Sequence, residues 1–257
     1  MEEQLVTVEA HGAVAVVSLN RPPVNALSEA LIAAIDEAVA VAAQPIYRAA
    51  VITGAPHFAA GADISGFQAA FEAGHEDTLA SDLGALVRRL ERLAKPTIAA
   101  VRGYALGGGL ELAMGADFRY MADDAVVGQP EILLGIIPGA GGTQRLARIV
   151  GYQKALEMNV TGRQVAAEEA LQLGLADRVL PGDEVLDAAI EDATRWAKGP
   201  TVAYAAVKTA MGDGFGRPID EALAIEQRQF RLVFGSKDAK AGVKAFLDKT
   251  SADFVGE

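Results

Sequence analysis

The stretch from Gly103 to Glu131, GYALGGGLELAMGADFRYMADDAVVGQPE, places three glycines at the mouth of an apolar helix and a carboxylate, Glu111, in that helix's first turn. It follows Thr97-Ile98-Ala99-Ala100-Val101, an apolar run bounded by Lys95-Pro96 and Gly103 and of the right length for a buried strand. Gly107, Gly108 and Gly109 carry no side chains, so a ligand atom can approach the backbone, and the unpaired N–H groups of a helix start favour negative charge. The same features have a plainer explanation, since glycines at such junctions also allow tight packing and a first-turn glutamate complements the helix dipole.

Outward from that unit, strands and helices alternate. Residues 4–10 and 13–19 predict a β-hairpin around His11-Gly12, and Ser28 precedes an Ala/Leu/Ile-rich segment that reads as a capped helix. Tyr47–Thr53 predicts a second buried strand. It leads into Phe58-Ala59-Ala60-Gly61-Ala62-Asp63-Ile64, a loop of small residues whose amides can face a ligand. Helical patterning is expected around 66–73 and over 79–94, and short strands at 118–121 and 125–127. Recurrent strand-to-helix crossovers make this an α/β fold. Between Gly128 and Gly142 the chain is apolar and glycine-rich, with Glu131 as its only charge; a lone carboxylate in such company should have a raised pKa unless paired. From Thr143 the chain is mostly helical. The division expected is a core over 1–180 and a helical region over 181–257.

Composition narrows the function. The chain has 257 residues, 51% of them hydrophobic, enough for a sizeable core. Its formal net charge of -11 argues against broad binding to nucleic acid or anionic membranes. No cysteine is present, which excludes disulfides, thiolate metal sites and a cysteine nucleophile. His11, His57 and His75 are scattered without metal-ligand spacing, so no metal site is expected. The acidic start lacks signal-peptide character and no apolar run is long enough to span a bilayer, so a cytoplasmic location is expected.

The segments 58–64, 103–113 and 128–146 together resemble the signature segments of the enoyl-CoA hydratase (crotonase) family, and the resemblance extends from Asn20-Arg21-Pro22 to the C-terminal helices. It implies a ββα spiral core with a C-terminal helical trimerisation region, assembled as a homotrimer or a homohexamer. It implies further that the amides of Ala60 and Gly108 form an oxyanion hole for a thioester carbonyl. Glu111 and Glu131 would be the catalytic acids, with Ala62, Asp63, Ile64 and Gly139 lining the substrate. The reaction implied is addition of water across the 2,3 double bond of an enoyl-CoA. Glu111 would orient the water, and Glu131 would handle the proton at C2. No cofactor is implied, because coenzyme A is part of the substrate. Related chemistries in the family, such as double-bond isomerisation, and a non-catalytic acyl-CoA-binding relative are the alternatives. Retention of both acids favours the hydratase. Departures from the family pattern include Arg102, where many relatives have Asn, and a short turn at Pro22–Leu27.

Overall fold

The computed structural model describes residues 4–65 and 78–257; the helical patterning expected around 66–73 lies outside them. In chain order the elements are β1 (Val6–His11), β2 (Val14–Leu19), α1 (Glu29–Ala42), β3 (Ala49–Gly54), α2 (Thr78–Glu91), β4 (Thr97–Val101), β5 (Tyr104–Leu106), α3 (Gly108–Met114), β6 (Phe118–Ala122) and β7 (Val126–Gly128). A 3-10 turn (Pro130–Leu134) follows, then α4 (Gly142–Val150), α5 (Tyr152–Thr161), β8 (Gln164–Ala166), α6 (Ala167–Gln172), β9 (Arg178–Leu180), α7 (Val185–Ala197), α8 (Thr201–Gly214), α9 (Ile219–Phe234) and α10 (Lys237–Asp248).

Six strands form the main sheet in the order β1-β2-β3-β4-β6-β9, antiparallel only between β1 and β2. Every residue of β3 and β4 is buried, as a central parallel sheet covered on both faces requires, and this is why their sequences are continuous Ala/Val/Ile/Thr runs without alternation. Helix α1 starts where Ser28 Oγ accepts the Leu31 N–H at 3.2 Å, a cap worth about 1 kcal/mol, and packs Leu31, Ile35 and Val39 inward. Just beyond its C-terminal end the buried Lys95 ammonium donates to the carbonyls of Ala42, Gln44 and Tyr47 at 2.7, 2.9 and 2.7 Å, so those acceptors are satisfied.

A second, three-stranded sheet, β5-β7-β8, stands beside the first. All three of its strands are three residues long; β5 and β8 carry no alternation of their own, and their pairing to β7 creates them. Helix α7 lies on the main sheet with Val185, Ala189, Ala193 and Ala197 buried, and its Asp192 accepts the Tyr120 hydroxyl of β6 at 2.5 Å. A division at 180/181 therefore separates α7 from the sheet it covers, and the helices that stand apart begin at Thr201. Their end is tied back: Asp238, buried at the start of α10, accepts the N–H groups of Val255 and Gly256 at 2.8 Å each, and Arg48, just before β3, donates to the Phe254 carbonyl at 2.9 Å. Among the described residues no helix is long and apolar enough to cross a membrane.

Candidate active site

The site forms beyond the C-terminal ends of β3 and β4, where open α/β sheets place their ligands. Four segments meet there: the turn after β2, the 57–64 loop, the start of α3, and the 129–142 segment. Asn25, at a φ of +53°, holds the first two together, accepting from Arg21 N–H at 2.7 Å and donating to the His57 carbonyl at 2.7 Å. Two isolated parallel bridges, Leu27 with Ala62 and Ala59 with Ala105, lace the loop to its neighbours. His57 belongs to this framework. Its Nδ1 accepts the Tyr104 N–H at 3.1 Å and its ring stacks on Tyr104, which gives the histidine a structural place.

The order of the loop decides which amide is available. Ala60 N–H donates to the Val24 carbonyl at 3.0 Å, so the amide expected to grip an oxyanion is already committed. The Ala62 N–H has no hydrogen-bond acceptor among the described residues and lies 4.0 Å from the point a Gly108 Cβ would occupy. Gly108 is the first residue of α3, and its N–H is among those a helix start leaves unpaired. The neighbouring amides left without an acceptor are thus those of Ala62 and Gly108, whereas Ala60, expected to be one of the pair, ties the loop to the turn after β2. Asp63 is likewise occupied: its carboxylate takes Arg21 Nη2 and Ser65 Oγ at 2.6 Å each, partners that hold its pKa below the ordinary carboxylate value. Asp63→Ala should lower the melting temperature by a few degrees and raise KM more than it lowers kcat, because it frees the loop that carries the Ala62 amide. Ile64 is exposed beside that loop, and Gly139 is exposed in the apolar segment.

Glu111 and Glu131 come from different elements and differ in environment. Glu111 is only 2% exposed, and its Oε1 accepts the N–H groups of Ala140 at 2.8 Å and Gly142 at 2.6 Å, while its Oε2 carries no hydrogen bond among the described residues. Burial pushes its pKa up, against the pull of those two amides and of the nearby Arg145 charge. Glu131 sits in the 130–134 turn beside Gly107; a side chain at 107 would come within 2.9 Å of its Oε1. Burial raises its pKa to about 7, with the Glu111 charge adding to the push. The direction is the one that burial of a carboxylate in this apolar stretch dictates. Glu111 is the more deeply housed of the two, and the leucines and isoleucines next to Glu131 face outward.

Four contributors were not visible in the sequence. Gln129 is fully buried, and with its amide nitrogen turned toward Glu131 it donates to Oε1 at 3.0 Å and Oε2 at 3.1 Å; the reverse orientation would set an oxygen against a carboxylate. Ala140 and Gly142 contribute only backbone, and Arg145 holds the Ala140 carbonyl at 2.9 Å. Nothing in periodicity or composition singles these out. A single carboxylate in an apolar stretch does imply a buried donor nearby, and Gln129, two residues before it, was the closest amide side chain. Among the described residues no group of three or more His, Asp or Glu side chains converges as metal ligands would.

The arrangement gathers two unpaired amides, at Ala62 and Gly108, and two acids of different depth at one helix start. That is what acyl-thioester chemistry with proton transfer at the adjacent carbons needs. The sequence pattern of the family described as Enoyl-CoA hydratase/isomerase matches residues 9–257. A "Probable enoyl-CoA hydratase, mitochondrial" of Dictyostelium discoideum is 42% identical over 95% of this chain and 88% of its own length. The "Crotonyl-CoA hydratase" of Syntrophomonas wolfei is 40% identical over the full length of both. Among solved structures, the enoyl-CoA hydratase of Bacillus anthracis superposes with a TM-score of 0.93 at 35% identity, covering 99% of this chain and 100% of that one.

Proposed function

The chain belongs to the enoyl-CoA hydratase/isomerase family, and from that premise we propose that it is an enoyl-CoA hydratase, adding water across the 2,3 double bond of an enoyl thioester to give the 3-hydroxyacyl thioester. The observation that carries this reading is the pair of acids, Glu111 hung on two amides and Glu131 with its pKa lifted to about 7, at the mouth of α3 where free amides also lie. The thioester oxygen sits between the N–H groups of Ala62 and Gly108, which strengthen their hold as it gains charge. With that oxygen fixed, the double bond is polarised so that C3 accepts the water oxygen. Ionised Glu111, through its unbonded oxygen, orients the water and takes its proton; protonated Glu131 delivers a proton to C2. The net change is one water added, and the proton now on Glu111 returns to Glu131 between turnovers. The chemistry asks for no metal or redox group, since coenzyme A enters and leaves with the substrate.

The direct test follows the loss of conjugated-enoyl absorbance with crotonyl-CoA; no turnover by the native protein removes the reading. The proton assignment fixes the sign of the pH dependence. Hydration needs Glu131 protonated, so its kcat/KM should fall as pH rises through about 7. Dehydration of 3-hydroxybutyryl-CoA needs it ionised and should rise over the same interval. Both apparent values belong to the acid pair together. Limbs of the same sign in the two directions would assign the proton elsewhere.

The reading extends to assembly. Met211, Phe215, Ile219, Phe230 and Phe246 of the C-terminal helices, and Leu133 and Ile137 of the apolar segment, are all at least 64% exposed in the single chain. Surfaces this apolar mark contacts between chains, which supports the homotrimer or homohexamer expected from the sequence. Sedimentation equilibrium giving the mass of one chain would overturn it. The cytoplasmic location expected from the acidic start and the lack of a membrane-length apolar run belongs to the same reading.

A further inference from the structure

We infer that Arg145 is a positioning residue for the hydration, fixing the loop from which the Glu111 carboxylate hangs. The inference rests on the hydratase reading and adds to it a residue that touches neither substrate nor water. Arg145 lies in the first turns of α4, and its backbone N–H closes onto the Gly141 carbonyl at 2.8 Å. Its side chain folds back over the same loop: Nη1 donates to the Ala140 carbonyl at 2.9 Å, and Nη2 meets Glu91 Oε2 of α2 at 3.0 Å. The Ala140 residue so held sends its own N–H to Glu111 Oε1, and Gly142, immediately past the αL residue Gly141, sends the second.

Space at the bend is set by this contact. Gly141 has a φ of +106°, and a Cβ there would come 2.1 Å from Arg145 Nη1, so the guanidinium occupies room that only glycine leaves. The third guanidinium nitrogen, Nε, is buried without a partner among the described residues. A side chain kept only to fill volume would not strand a donor in that way; the fork is retained for the two directed contacts its other nitrogens make. The charged groups around the Glu111 carboxylate are Glu131 on the 130–134 turn and Arg145 on α4, with Glu91 and Arg88 of α2, themselves paired at 2.8 Å, behind the guanidinium. Arg145 is the cation of that set nearest to Glu111 and favours its ionised form. It therefore acts on Glu111 in two ways, by holding the amides in place and by keeping the carboxylate ready to accept a proton.

The test compares Arg145→Met and Arg145→Lys with Arg148→Met, a neighbouring arginine on α4 that among the described residues bonds only to Gln144. Crotonyl-CoA hydration is measured across pH, and circular dichroism verifies folding. In Arg145→Met, kcat should drop about 10- to 100-fold with KM changed less than about threefold, as a misplaced reacting group produces, and the acid limb of kcat/KM should move to higher pH. Arg145→Lys keeps the charge but reaches only one of the two acceptors, so the limb should stay in place while kcat recovers in part. Arg148→Met should match the parent. Parental kcat and limb in Arg145→Met, or an equal kcat loss in the Met and Lys variants with the limb unmoved, overturns the inference. Should the Met variant fail to fold, parental kcat in Arg145→Lys overturns it. A readout independent of turnover is the 13C titration of the Glu111 carboxyl, identified by its absence in Glu111→Gln. It should move to higher pH in Arg145→Met, or in Arg145→Ala if that is the variant that folds, and an unmoved titration overturns the inference. If the native protein fails to hydrate crotonyl-CoA, the hydratase reading falls while this titration still decides the place of Arg145.

Discussion

Glu131→Gln should be inactive and yet melt at a higher temperature than the parent at pH 8. Hydration should fall about 1000-fold, because the amide cannot deliver a proton to C2 while the thioester oxygen is still held. Stability moves the other way. The folded-state pKa of Glu131 is raised to about 7 from the usual 4.5, chiefly by burial. Such a group weakens the fold progressively as pH rises from its unfolded value through its folded one, since ionisation costs more inside the protein than outside. A neutral glutamine escapes that cost and can still accept the Gln129 amide. Allowing for the partial solvent access of the side chain, the gain at pH 8 should be about 1–2 kcal/mol. It should shrink to nothing near pH 4–5, where both proteins are neutral at this position. Thermal melts at the two pH values check it, and a gap of the same size at both would remove burial of this carboxylate as the cause.

Gly109→Ala should damage fold and activity together. Alanine is favoured over glycine inside a helix by about 1 kcal/mol. Here a Cβ would come 2.0 Å from the Ala59 carbonyl oxygen and 2.8 Å from its carbon, backbone atoms that cannot step aside on their own. The same oxygen accepts the Leu106 N–H at 3.1 Å, so displacing it also opens the bridge between the loop and β5. Overpacking against backbone should outweigh the propensity gain and cost about 2–4 kcal/mol. Because Ala59 stands three residues before Ala62, the shift should also splay the two donors and lower kcat/KM about 100-fold. Gly84→Ala in α2 is the contrast: its Cβ would meet Ala140 Cα at an ordinary 3.7 Å, and the variant should be as stable as the parent or more so. Urea denaturation of both variants beside the parent tests this, and a Gly109→Ala protein with the parent's midpoint would contradict it.

What the sequence could reveal followed from how local the cause was. The apolar run at 97–101 is a strand with those bounds, and Ser28 caps α1, because periodicity and capping act within a few residues. The two acids were legible as isolated charges in apolar or glycine-rich company. The choice between Ala60 and Ala62 was not, since it turns on which amide finds the Val24 carbonyl, some three dozen residues earlier in the chain. Strands β5 and β8 exist only through their pairing with β7, and α7 belongs to the sheet through buried alanines that look the same on any amphipathic helix. Arg145 and Gln129 read as ordinary polar residues until folding sets them against a carbonyl and a carboxylate.

The donors proposed for the thioester oxygen are wholly main chain, at Ala62 and Gly108, whereas the acids proposed to move the protons are two replaceable side chains on separate segments. Most substitutions leave an amide hydrogen where it was, so carbonyl activation persists while the groups at 111 and 131 are exchanged. A scaffold divided in this way is suited to acquiring new reactivity: a small library varied at those two positions would sample different proton-transfer partners around one activated thioester, with substrate recognition kept.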